Sequence, residues 1–87
     1  MAETERVETR VGARSDPLKV AGFIAGRLRE GRSVHVEATG GAVWVLVQAV
    51  FYASAFLGGP IRLVSDIPRR PDGRVSRERV AVEVEAA

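Results

Sequence analysis

Eighty-seven residues amount to one domain's worth of chain, expected as a single unit over residues 1–87. With 46% hydrophobic and 28% charged residues it reads as globular rather than disordered, and the lack of cysteine excludes disulfides and thiolate metal sites. The net charge is only +2 although the pI is about 9.9, which is weak support for nucleic acid unless the basic residues cluster.

A domain this small buries only about 60–65% of its unfolded surface, so association between copies is a natural source of added stability. The cysteine-free composition suits a reducing cytoplasm, the expected location. Residues 1–11 are rich in Glu and Arg and do not resemble a signal peptide. Of the thirteen basic residues only Lys19 is a lysine. Guanidinium groups suit phosphate or carboxylate partners, and the same bias also arises from genome composition or growth temperature.

From Glu5 to Val11, Val7, Thr9 and Val11 alternate with Arg6, Glu8 and Arg10, the pattern of a half-buried strand. Residues 12–15 form a loop. Asp16 then caps a helix with Pro17 in its first position, where the missing N–H costs nothing. Val20, Ile24 and Leu28, flanked by Ala21 and Ala25, make one stripe of that helix, with Lys19, Gly22, Gly26, Arg29 and Glu30 opposite. Gly31, following two late arginines, stops it.

Ser33 to Ala38 alternates again, with Val34, Val36 and Ala38 inward and His35 and Glu37 outward. Gly40-Gly41 breaks the chain, and a second helix is expected over residues 42–57. Ile61 to Ile67 reads as a third strand after Gly58-Gly59-Pro60. Residues 68–73 are a turn with Asp72-Gly73 at its tightest point. Arg79 to Glu85 forms the last strand, with Val80, Val82 and Val84 on one face. The order β-α-β-α-β-β is economically packed as an α+β domain, a four-stranded mixed sheet with both helices on one face.

Ala42 to Gly59 is eighteen residues without a charge. As a helix, residues 42–57 span only about 24 Å against a hydrocarbon core of about 30 Å. Gln48, the paired glycines at both ends and the lack of a basic flank also argue against a membrane span. On a helical wheel Val43, Leu46, Val47, Val50, Ala53 and Leu57 suit the sheet, whereas Trp44, Gln48, Phe51, Tyr52 and Ala55 form another face. One small sheet covers only one side, so this aromatic face needs a second cover. The same face in another subunit is the favoured cover; the first helix, burial within the monomer and a base-stacking platform are the alternatives. The last lacks any arginine or lysine on that face.

Residues 15–30, Ser15-Asp16-Pro17 through Val20-Ala21-Gly22-Phe23-Ile24-Ala25, resemble the first helix of the stage V sporulation protein S family. Val36 to Val43 resembles its strand-to-helix junction, Val47-Gln48-Ala49-Val50 continues the match, and Arg77-Glu78-Arg79-Val80-Ala81 is similar to its final strand. The resemblance covers residues 5–85. It implies an Alba-like fold, a homo-oligomer (dimer or tetramer), a link to sporulation control and, by analogy with Alba, DNA or RNA as partner. The chain departs from the family in its second helix, where Trp44, Val45, Gln48 and Ser54 replace an Asn-Gln pair and basic residues.

Arg69, Arg70 and Arg74 cluster in the connection before the last strand, with Arg77 and Arg79 just beyond. The resemblance implies that this hairpin and the loop-helix region of Arg14 and Lys19 meet a nucleic-acid backbone; the alternative is a solvated hairpin kept soluble by arginine. His35 lacks further ligands at metal-binding spacing. Helix capping explains Ser15 and Asp16, and a tight turn explains Gly40-Gly41 better than a phosphate cradle. No catalytic constellation, metal site or cofactor is expected. The chain reads as a non-enzymatic regulatory module, binding nucleic-acid phosphates or, alternatively, working by self-association alone.

Overall fold

A computed structural model describes residues 6–66, 72 and 79–87. Its elements run β1 (Arg6–Val11), α1 (Pro17–Arg29), β2 (Ser33–Thr39), α2 (Ala42–Leu57), β3 (Ile61–Asp66) and β4 (Arg79–Ala86). They form one sheet in the order β1-β2-β4-β3. β1 and β2 are parallel, which demands the crossover that α1 supplies, while β4 runs antiparallel to both β2 and β3. This is the expected mixed-sheet α+β architecture, consistent with an Alba-like fold.

Local chemistry sets the ends of the helices. Asp16 accepts a 2.9 Å hydrogen bond from the Leu18 N–H at the start of α1. Ser15 does not cap the helix; its hydroxyl accepts from the Gly12 N–H at 3.0 Å and closes the preceding loop. α1 ends one residue earlier than expected, with Glu30 as its cap and Gly31 taking the left-handed conformation at φ +80°. α2 ends the same way at Gly58, whose N–H donates to the Ser54 and Ala55 carbonyls.

The strands alternate as the sequence predicts. Val34, Val36 and Ala38 of β2 oppose Val84, Val82 and Val80 of β4 on the helix side, and Val11 joins them from β1. Ile24, Val34, Val36 and Val84 are fully enclosed, each contributing roughly 1.5–3 kcal/mol by leaving water. The α1 stripe of Ala21, Ile24, Ala25 and Leu28 is buried as expected.

α2 is turned differently from its helical-wheel reading. Its buried positions are Ala42, Val45, Leu46, Ala49 and Ala53. Val47, expected to face the sheet, is 36% exposed, and Val43, Val50 and Leu57 are only half-buried. The reason is the neighbouring helix. α2 packs chiefly on α1, and its buried stripe carries the small Ala42, Ala49 and Ala53, which suit a close helix–helix approach; hydrophobicity alone cannot phase a helix that is apolar all round.

Candidate functional site

With small residues turned toward α1, the large ones of α2 are left outside. Trp44 is 65% exposed and Phe51 73%, and Tyr52, Ala55 and Phe56 are also exposed; Gln48 is half-buried. α1 therefore does not cover the aromatic face. Below it, Val43, Val47, Val50 and Phe51 of α2 and Leu63 and Val82 of the sheet flank a wholly apolar cleft of about 250 Å³. Leu63 and Val47 extend the aromatic patch onto the sheet edge. The sequence gives no sign of this, because it does not say that β3 is an edge strand.

The side of the sheet away from the helices carries a different chemistry. His35 lies on that face, as its alternation predicts, but it is buried rather than outward-facing in solvent, at 5% exposure. Its Nδ1 stands 3.0 Å from Glu83 Oε2 and its Nε2 3.4 Å from Glu37 Oε1. Glu83 also accepts from the Ser33 hydroxyl at 3.0 Å and pairs with Arg6 at 3.2 Å. Glu37 pairs with Arg79 at 2.6 Å and Arg10 at 3.4 Å. The imidazole thus lies between two carboxylates that arginines of β1 and β4 also engage.

The Arg79 hydrogen bond, with His35 and Arg10 adding to it, holds the Glu37 carboxyl below its usual range, although partial desolvation opposes the shift. Arg62 is tied to Glu85 in the same manner, which raises its already high pKa. The guanidiniums of this face are therefore neutralised by carboxylates, and a polyanion would have to compete with glutamates for them. Among the described residues no group of three or more metal-type ligands occurs.

The predicted basic surface is split. Arg14 and Lys19 are exposed, on the β1–α1 loop and the first turns of α1. That loop touches the start of α2: a Cβ placed on Gly41 would lie 3.7 Å from the Ala13 Cβ. Arg14 and Trp44, which is in the first turn of α2, accordingly share one end of the molecule. Gly40 makes the tight turn there at φ +55°, a conformation that favours glycine. Arg69, Arg70, Arg74 and Arg77 lie outside the described residues.

Among the described residues no helix is long and apolar enough to cross a membrane. No curated protein matches the chain. A family model described as Stage V sporulation protein S (SpoVS) matches residues 7–68, from β1 through β3. That span includes both helices and the turn at Gly40; the final-strand run Arg77–Ala81, on which the resemblance also rests, lies beyond it. The chain belongs to the stage V sporulation protein S family.

Proposed function

We propose that this chain is a non-enzymatic regulatory domain that works as an assembly of its own copies. The observation that carries the reading is the aromatic face of α2. Trp44, Phe51, Tyr52 and Phe56 stand out from a helix without a single charge, beside an apolar cleft. Together they leave a patch on the order of several hundred Å², large for the surface of a monomer. Covering it with the same face of another copy supplies stability that so small a core lacks. Replacing Trp44 with glutamate places a charge in the proposed contact. The expected result in sizing experiments is a dimer or larger species for the natural chain and a folded monomer for Trp44→Glu. A natural chain that stays monomeric at high concentration overturns the reading.

The second reading adds nucleic acid as the partner of that assembly. It is favoured by the exposure of Arg14 and Lys19 at one end of the fold, together with the sequence cluster of Arg69, Arg70, Arg74 and Arg77. Such residues meet phosphates as charges, so binding would ignore sequence and weaken steeply with salt. Each added copy brings another set of contacts to the same strand. A gel-shift series across salt concentrations, with DNA and RNA in parallel, tests it. No shift with either at low salt leaves self-association standing alone.

A further inference from the structure

Building on the assembly reading, we propose that two copies join through the free edges of β3, antiparallel about a twofold axis at Leu63, so that two four-stranded sheets become one. Among the described residues β3 pairs only with β4, and its other edge has no strand beside it. Leu63 and Val64, on opposite faces of that strand, are each 49% exposed. The apolar centre of this edge, beside an Arg62 already tied to Glu85 of β4, is a template for another strand. The opposite edge of the sheet, β1, is guarded instead by Arg6, Glu8 and Arg10 at alternate positions.

The hydrogen-bond pattern fixes the register. The Ala87 N–H donates to the Pro60 carbonyl, which continues the β3–β4 register in which Ile61 opposes Ala86. Antiparallel bonds form between directly opposed residues and skip every second pair. Pro60, Arg62 and Val64 therefore turn their backbone groups toward β4, and Ile61, Leu63 and Ser65 turn theirs outward. A partner strand must bond to this outward set, and a twofold axis requires the partner to use the same set. Centring the axis on Leu63 pairs Leu63 with Leu63 and Ile61 with Ser65, so every outward group of that set finds a partner. Centring it on Arg62 or Val64 leaves one end of the set without one.

The helix side of the sheet supports the same arrangement. α2 packs against β1 and β2, leaving the cleft beside Leu63 and Val82 open above β3 and β4. A twofold axis perpendicular to the sheet keeps the helices of both copies on the same side. The two clefts then meet above the paired leucines, with Phe51 of each copy beside the seam. A second copy fits here because knob and cleft lie side by side on one surface, which makes that surface self-complementary.

Because the chain has no cysteine, a single introduced thiol reports the contact directly. In the register proposed, the two Leu63 Cα atoms would lie about 5.5 Å apart, inside the range that a disulfide spans. Under mild oxidation at low concentration, full-length Leu63→Cys should run mainly as a covalent dimer on a non-reducing gel. Glu8→Cys, on the other edge, should remain a monomer there. In the natural protein, amide exchange at Leu63 should slow at least tenfold as concentration rises through assembly. An assembled protein in which Leu63→Cys links no better than Glu8→Cys, and the Leu63 amide stays fast, overturns the edge pairing but leaves self-association intact. A natural chain that never assembles overturns both.

Discussion

If the small residues of α2 face α1, enlarging one of them should be costly, whereas enlarging Val47 should not. Ala49 is fully buried on α2, whose main packing partner is α1, with Ala42 and Ala53 one to two turns away on the same stripe. Ala49→Leu forces three more carbons into a closed contact, and overpacking of this kind costs about 1–3 kcal/mol. In a domain of this size each kcal/mol lowers the melting midpoint by about 4–8 °C, so a 2 kcal/mol penalty means a fall of roughly 8–16 °C. Val47→Leu adds one carbon at a site open to solvent and should stay within about 0.5 kcal/mol of the natural chain. Thermal melts followed by circular dichroism, with both changes made in the Trp44→Glu background, separate this packing effect from assembly. A large loss for Val47→Leu with none for Ala49→Leu would mean that α2 is rotated as its helical wheel suggests, and the exposed-face argument would collapse with it.

Gly22 lies on the exposed side of α1, and a Cβ there meets nothing within 4 Å. Gly22→Ala should therefore raise stability by about 0.8–1 kcal/mol through helix propensity, measured by urea denaturation. Gly58→Ala should lower it by about 1 kcal/mol in the same assay, because φ +78° disfavours a side chain. Glu37 has a lowered folded pKa, so its contribution is present above the unfolded carboxylate value and is lost as pH falls through the folded value. As pH is lowered below about 4.3, denaturation midpoints should thus fall less steeply for Glu37→Gln than for the natural chain; parallel curves would contradict this. If nucleic acid binds, Arg69, Arg70 and Arg74 replaced together by alanine should flatten the slope of log affinity against log salt by up to about 0.9 for each duplex phosphate no longer neutralised. An unchanged slope would point to another surface.

What the sequence made legible follows from how local each signal is. Alternation located the strands, and Asp16, Pro17, Gly31 and Gly58 located the helix ends, because caps and turns are decided by a few neighbouring residues. The rotation of α2 was not legible. With every flank apolar, the deciding property is the size of Ala42, Ala49 and Ala53 against a helix some twenty residues earlier. The aromatic face was legible as a surface needing cover, since it could not share the sheet with the opposite side of the same helix. His35 shows the limit of alternation: the pattern placed it on the correct face, but it is buried there, between Glu37 and a Glu83 that long-range pairing brings to it. Leu63 escaped notice because only the strand order shows that β3 is an edge.

Trp44 is the sole tryptophan of the chain and stands 65% exposed on the face proposed to be covered. Its fluorescence across a wide range of protein concentration, with and without acrylamide, therefore reads that face without labels or substitutions. Self-association predicts free quenching and red-shifted emission at high dilution, giving way to protection and a blue shift as concentration rises. Emission and quenching that stay those of a fully accessible indole at every concentration would contradict it.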